Sequence, residues 1–322
     1  MGPAALPLGM TSRLLALAML VLVAMRTTPA TAEPGDPVRL RLGTLAIDGS
    51  RYMADILALS QEIERRTRGR VQLDWVSGGQ LGDDAAMADL IAHDKLDGGG
   101  LSETGLRALV PEMAAWGLPG LFGAYEQVDR ATGALDPNVR ELFAQRGLRF
   151  AMWADLGFAN AFSTERIAPS SDALERAAAW LAMPLDGKLT AAITGGRARV
   201  WALPPLYMLV LNTPRARFAT DLRYRYVIGG LVFSRAAWAR IPPADQATIL
   251  DACRTAEPHL RASWRKETVR GVAALEKSGV ELRATSAAER AAFAEASAVL
   301  REARAKELGL SELLTAIAAA RD

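Results

Sequence analysis

The chain has 322 residues, half of them hydrophobic and 23% charged, with a formal net charge of +2. That composition is ordinary for a globular protein with enough apolar material for a full core and with room for one to three domains. The charge excess comes from Arg13 and Arg26, because residues 1–32 contain no acidic residue; the neutral remainder carries no electrostatic footprint for nucleic acid or for an anionic membrane surface.

The first residues have the order of an export signal. Arg13 supplies the charged start, Leu14 to Met25 ("LLALAMLVLVAM") the apolar run, and Ala30 to Ala32 ("ATA") a small-x-small cleavage site ahead of polar "EPGDP". Cleavage near Ala32 predicts a mature protein that starts near Glu33 and resides in the periplasm. The run is shorter than the about 20 residues of a membrane span; an uncleaved anchor is the alternative, and Met10 offers a second start. The single cysteine, Cys253, lies in the helical pattern "ATILDACRTAEP" and has no partner for an internal disulfide. A buried structural thiol is expected there.

Val38 to Ala46 alternates apolar and polar residues like a strand and stops at "DGS". "RYMADILALSQEIERRTRG" has helical spacing, basic residues in its last turn and Gly69 as its stop. "RVQLDWVSG" is a second alternating strand. The Gly-rich elbow "GGQLGD" leads into a helix, Asp83 to His93, and then a third short strand near Leu96 to Gly100. This alternation is the signature of a parallel sheet covered by helices. Two helical pieces are expected between Leu118 and Gly147, then an extended run, Leu148 to Ser163, long enough to pass between domains. Further helical pieces are expected at Ser171 to Leu181 and Asp186 to Thr194. "RARVWALPP" reads as a strand ending at Pro204-Pro205, and "LRYRYVIGGLVFSR" is again extended. From Ala236 onward the chain is mainly helical, apart from an edge strand at Gly279 to Thr285. Extended crossings with no repeat and no low-complexity linker favour two domains joined by several strands.

Residues 78–106, "GGQLGDDAAMADLIAHDKLDGGGLSETGL", pose the functional question: a phosphate cradle, a catalytic serine, or the lining of a pocket that only binds. No G-x-x-x-x-G-K-[ST] motif exists, and "GGGLSETG" lacks its lysine. No G-x-S-x-G elbow exists, and Ser102 has no base evident in the sequence. His93 and His259 have no second ligand at metal spacing. Asp83 and Asp84 fall at a helix N-terminus, where the macrodipole favours acidic side chains. No catalytic residue, no metal and no cofactor is expected, and the binding pocket is the favoured reading.

The ordered segments "LRLGTLAIDGS", "RTRGRVQLDWVSGGQLGDD", "LDGGGLSETGL", "VPEMAAWGLPGLF", "GLRFAMWADLGFANAFST", "LTAAITGG", "WALPP" and "GGLVFSRAAWARIPPADQATIL" resemble the periplasmic solute-binding proteins of TRAP transporters, the DctP-type or family 7 of bacterial extracellular solute-binding proteins. The resemblance runs from about Val38 to Leu282. It implies an α/β, two-domain periplasmic-binding-protein-like fold with a ligand cleft between domains, several interdomain crossings and a long C-terminal helical region. The implied divisions are a signal at 1–32, domain one at 33–152 plus about 229–262, and domain two at about 153–228 plus 263–322. The implied function is capture of a small organic ligand, mostly an organic acid and in some branches a more apolar molecule, and its delivery to TRAP membrane permease subunits, with no nucleic acid involved. The alternatives are a sensor or adaptor that binds without transport and, from another class, a secreted hydrolase using Ser102.

By the same resemblance the loops after the strands face the cleft, which makes Asp48, Gly49, Gly79, Gln80, Ser102 and Thr104 candidate ligand contacts from domain one. Trp153 and Phe158 would approach from the crossing strands, and Trp201, Pro204 and Tyr207 from domain two. The glycines also fit plain turns, and the aromatics also fit core packing. The chain departs from the family between Ile167 and Pro184, where it is shorter and lacks the strand that carries a carboxylate-clamping arginine or a tryptophan; Arg176 stands there in a helical context. The family's Gln-Trp pair aligns with Leu211-Asn212, and its Asp before "Y-A-P-P" with Arg199. What remains nearby, "VWALPPLYMLVL", is almost wholly apolar. A carboxylate taken from water needs charged or multiple hydrogen-bond partners. The expectation is therefore a mainly apolar ligand held by a few polar groups such as Ser102, Thr104 and Gln80, the alternative being that "YMLVL" is a buried helix face.

Overall fold

The computed structural model describes residues 36–166, 187–210 and 216–322. The export signal, the helical piece at 171–181 with Arg176, and the Leu211-Asn212 pair lie outside the described residues. Among the described residues no helix is long and apolar enough to cross a membrane.

The chain begins as strand, helix, strand, helix, strand: β1 (Val38–Thr44), α1 (Arg51–Arg66), β2 (Val71–Val76), α2 (Asp84–Ala92) and β3 (Gly98–Ser102). β1 pairs in parallel with both β2 and β3. α1 starts where the Ser50 hydroxyl accepts the Met53 N–H at 3.1 Å, and it ends with Arg65 and Arg66 at the negative end of its dipole. Its apolar face, Leu59 and Ile63, is buried with Leu40 and Leu42 of β1. After β3 come α3 (Glu103–Leu109), a tight 3-10 turn at Pro111–Gly117, and α4 (Tyr125–Gln145). There is one helix after Leu118, not two. Val128, Ala131, Val139 and Phe143 keep a single face on the core through Pro137, so tertiary packing carries the helix past the residue that reads as its break.

Two long strands then organise the rest. β4 (Arg149–Ser163) and β6 (Phe218–Phe233) have 15 and 16 residues, a reach of about 50 Å. Between them lie α5 (Gly187–Thr194), β5 (Val200–Leu203) and α6 (Pro205–Val210). The sheet order is β2-β1-β3-β6-β4-β5. β3 pairs with the end of β6, Gly229 to Phe233, whereas β5 pairs with the end of β4, Asn160 to Ser163. The two long strands are thus shared by two halves of the sheet. The C-terminal region is α7 (Arg235–Arg240), the 35-residue α8 (Pro243–Lys277), β7 (Glu281–Arg283), α9 (Ala287–Glu307) and α10 (Ser311–Arg321). β7 pairs in parallel with the start of β6.

Each half of the sheet is covered on both faces. In the first half, one face packs under α3, α4 and α10, centred on Trp116, Phe143, Phe150 and Trp153. The other packs under α1, α7 and α8, where Cys253 is buried and free. Burial holds that thiol up at about 12, so it stays protonated. In the second half, Phe162, Trp201, Leu203 and Leu275 form one core and Leu222, Tyr224 and Phe293 another. Ala305, Leu314 and Ile317 return to the core of the first half, so the chain's last residues tie back to its beginning.

The crossing between the halves is a break in the β4–β6 register between Asp155 and Gly157. Gly157 adopts a φ of +93°, and a Cβ there would stand 2.7 Å from the Thr268 hydroxyl of α8. Glycine therefore permits both the bulge and the close approach of α8. The fully buried Asp155 side chain accepts from Arg261 Nε at 3.1 Å and Arg265 Nε at 2.6 Å, both on α8. Arg265 also grips Asp129 of α4 at 2.5 Å, and Arg261 donates to Thr132 of the same helix at 3.1 Å. Removing Asp155 takes the fully buried counter-charge from both arginines and leaves them to share Asp129, with Glu257 beside Arg261. Asp155→Ala is expected to cost about 3–5 kcal/mol and to lower the melting temperature by several degrees. Arg65→Ala, which breaks the exposed pair with Glu62, should leave the temperature unchanged. Parallel thermal melts of the two variants check both.

Candidate functional site

Because β1, β2 and β3 are parallel, their carboxyl ends open on one edge of the sheet, the place where open α/β sheets bind ligands. A cavity of about 300 Å³ lies there. It is lined by Thr44 to Ile47 from the end of β1, Trp75 from the end of β2, and Gly100 to Ser102 from the end of β3. Tyr52, Ile56 and Leu59 of α1 and Trp264 of α8 continue the lining. Met152, Ala154 and Leu156 of β4 face Gly230 and Leu231 of β6, and Leu206 and Tyr207 of α6 contribute from the second half. A Cβ at Gly100 would stand 3.5 Å from Thr44 Oγ1 and 3.6 Å from the Trp75 ring, both in the lining, whereas one at Gly230 would run into the Phe150 ring of the core, 2.4 Å away.

Most polar groups in this lining are already engaged. Ser50 caps α1, and Thr44 Oγ1 accepts from Ala46 N at 3.2 Å. The Tyr52 hydroxyl donates to the Asp155 carbonyl at 2.9 Å, and its ring stacks on Trp264 at 5.1 Å with 6° between the planes. Trp75 Nε1 donates to Ser60 at 2.9 Å. No Lys, Arg or His is among the described lining residues.

Asp84 is the charged exception. It is fully buried in the first turn of α2, one residue after Asp83, which caps that helix by accepting from Ala86 N at 2.9 Å. Asp84 Oδ2 accepts from the Ser102 hydroxyl and, at 3.3 Å, from the Ser102 N–H. Oδ1 has no hydrogen-bond partner. Burial pushes the carboxyl up to about 6; the Ser102 bonds oppose this, and Asp83 and Glu103 add to it. Across the cavity the Tyr207 phenol is held well above its ordinary value by burial first, then by Asp84 and by Tyr52. Tyr207, Asp84 and Tyr52 therefore converge from three separate parts of the chain.

Of the residues singled out from sequence, the structure brings Ser102 and Tyr207 together in this cavity. Asp48 and Gly49 sit exposed at the tip of the turn whose flanks, Ile47 and Ser50, line it. Gly79, at φ +71°, and exposed Gln80 belong to the neighbouring turn, where Gly79 N donates to Thr44 O at 3.2 Å. Thr104 is buried in α3 with its N–H on the Ser102 hydroxyl at 3.3 Å. The remaining aromatics pack in cores: Trp153 against Phe150 and Trp116 with its N–H on Asp136, Phe158 between Tyr125 and Tyr226, and Trp201 with its N–H on Met208 Sδ at 3.2 Å. Pro204 is buried beside them, its carbonyl accepting from Tyr207 N at 3.0 Å. Sequence reasoning missed Tyr52, Trp75 and Trp264. Each fits a helix or strand pattern locally, and Trp264 is about 200 positions from its stacking partner, so no local signal marks it.

The family model described as DctP, bacterial extracellular solute-binding protein family 7, matches residues 42–173 and 217–307. The chain belongs to this family. A TRAP periplasmic solute-binding protein from Ralstonia eutropha H16, solved with bound (S)-2-acetolactate, superposes with a TM-score of 0.77 at 19% identity, over 88% of this chain and 98% of the other. One from Polaromonas sp. JS666, bound to D-erythronate, has the same TM-score and coverage at 20% identity. Among curated proteins, the uncharacterized y4mM of Sinorhizobium fredii is 34% identical over 103 residues, which span 31% of this chain and only 19% of y4mM. This family 7 protein thus has the α/β fold of two-domain periplasmic binding proteins.

Asp84 makes a pH-dependent contribution whose sign is the reverse of a salt-bridged carboxylate. Below its unfolded value near 3.8 it is protonated in both states and contributes nothing. Between that value and about 6 the unfolded chain ionises first, so stability falls as pH rises; above about 6 the penalty is constant, on the order of 3 kcal/mol. Asp84→Asn removes this term. The melting-temperature difference, variant minus wild type, should climb between about pH 4 and pH 6 and then level off, as pH-resolved thermal melts would show.

Proposed function

We propose that this protein is the exported, periplasmic receptor of a TRAP-type uptake system, which binds a small organic solute without chemical change and delivers it to membrane permease subunits. The observation that carries the reading is the cavity at the carboxyl edge of β1, β2 and β3, lined by one half of the sheet and completed by Leu206 and Tyr207 from the other. Family membership supports it. Solved relatives hold small organic acids, acetolactate in one and erythronate in another.

We place the hinge at the Asp155–Gly157 bulge, where both long strands and α8 pass between the halves. A ligand that touches Tyr207 on one side and Trp75 or Trp264 on the other stabilises the closed arrangement and shifts the population toward it. The lobes would then be 33–152 with about 229–262, and about 153–228 with 263–322, the latter modified by the return of Ala305 to Ile317 to the first core.

Ligand found by thermal-shift screening should raise the melting temperature and shrink the X-ray scattering radius. Tyr207→Ala should weaken binding about tenfold through lost apolar contact, and because Tyr207 also packs against the core of the second half the ligand-free melting temperature should fall as well. Uptake of that ligand by cells should vanish on deletion of the permease genes. A bound ligand with an unchanged radius would remove hinge closure, and permease-independent uptake would remove the transport reading.

A further inference from the structure

We propose that the cavity holds a solute built on an aromatic ring, with the ring laid over Gly100 and the size of the body it accepts set by that glycine. This ligand class rests on the receptor reading and deepens it for the same cavity.

The register of the sheet builds the floor. Thr44 of β1 pairs with Gly100 of β3, Gly100 with Leu231 of β6, and Leu231 with Met152 of β4. Residues paired in register share one face of a sheet, with side chains about 5 Å apart. Thr44, Gly100, Leu231 and Met152 therefore stand in one row across four strands, and all of them border the cavity. Leu231 and Met152 are buried on the face that packs under α1 and α8. Gly100 is the gap in the row. A Cβ on it would meet Thr44 Oγ1 at 3.5 Å and carbons of the Trp75 ring at 3.6 and 3.7 Å, ordinary contact distances, and nothing nearer. The room over this position is what the missing side chain leaves, and the Trp75 ring walls it.

The cover is aromatic. Tyr52 of α1 and Trp264 of α8 both border the cavity and stack on each other at 5.1 Å with 6° between their planes, so each ring is held in place by the other. Tyr207 adds a ring from α6. The Tyr52 hydroxyl donates to the Asp155 carbonyl and Trp75 Nε1 to the Ser60 hydroxyl, each at 2.9 Å, so the polar atoms of both rings are held by the protein. What those two side chains offer a ligand is ring carbon. Aromatic pairs in offset or edge-to-face arrangement gain a contribution beyond the area they bury, which an alkyl chain of equal size forgoes. The volume agrees. The cavity measures about 300 Å³, whereas an apolar cavity of roughly 150 Å³ is enough for a benzene ring. The remainder accommodates a short polar tail.

The test is isothermal titration calorimetry of the full mature protein with two sets of probes, so that the ranking does not depend on the charge of the tail. One set is 2-hydroxy acids that bear a methyl, a cyclohexylmethyl or a benzyl side chain; the other is the neutral 1,2-diols with the same three side chains. In whichever set binds, benzyl is expected to exceed methyl by about tenfold or more and cyclohexylmethyl by about threefold or more. Gly100→Ala should lower the benzyl-to-methyl ratio by about tenfold through overfilling, and its ligand-free melting temperature should not fall, because a strand interior gains from a side chain that meets no clash. If that variant fails to fold, the ranking on the wild-type protein decides. Methyl probes that bind as well as benzyl ones and shrink the scattering radius would overturn this inference and leave the receptor reading intact. Cyclohexylmethyl equal to benzyl, or a ratio unchanged in folded Gly100→Ala, would overturn it as well. Absence of binding in both sets would overturn it too, and the receptor reading would then be decided by the uptake measurement.

Discussion

The architecture depends on one buried anion. Asp155 sits where β4 breaks register, with no side-chain exposure, and two arginines from successive turns of α8 converge on it. Those arginines reach on to Asp129 and Thr132 of α4, so a single carboxylate joins the crossing strand, the long helix and the helix on the far side of the strand. A lone carboxylate at that depth would be prohibitively costly. Paired twice, it fixes how far α8 can slide along the sheet. The Asp155 carbonyl in turn receives the Tyr52 hydroxyl, which connects this clamp to the cavity wall. The group that holds the two halves together thereby positions a ring of the binding site.

The cavity owes its character to what its polar groups are already doing. A hydroxyl next to a strand end or helix start is drawn to the unpaired backbone N–H groups there, and Ser50, Thr44 and Ser102 are all used in this way. What is left at the space is mostly carbon and aromatic ring; Asp84 borders it but is fully buried. A lining of this kind selects mainly by shape. Among the described lining residues there is no arginine.

Ser102 and Asp84 show where reading from sequence reached and where it stopped. Ser102 was legible because the resemblance puts the loops after the strands at the cleft, and in the structure it borders the cavity. Asp84 was legible only as a first-turn acidic residue, which it is. Its second role arises because β3 ends beside the start of α2 and brings Ser102 onto its carboxylate. The same holds for Trp153, Phe158 and Trp201. Their aromatic character announced large apolar contacts, but only the packing of β4 against α4, and of β5 against α6, decided that those contacts are core.

The sequence by itself determined the alternation of elements, the parallel start of the sheet, the long extended crossings and the family, because hydrophobic period, caps and glycine stops are local properties of the chain. It also determined that this region would be apolar, since "VWALPPLYMLVL" has few polar groups to offer. Tertiary structure alone decided that Tyr52, Trp75, Tyr207 and Trp264 meet around one space, and that one acidic side chain borders it without a full set of partners. Those facts depend on residues far apart in sequence being brought together by the strand order and by the register break at Asp155. No local pattern encodes either one.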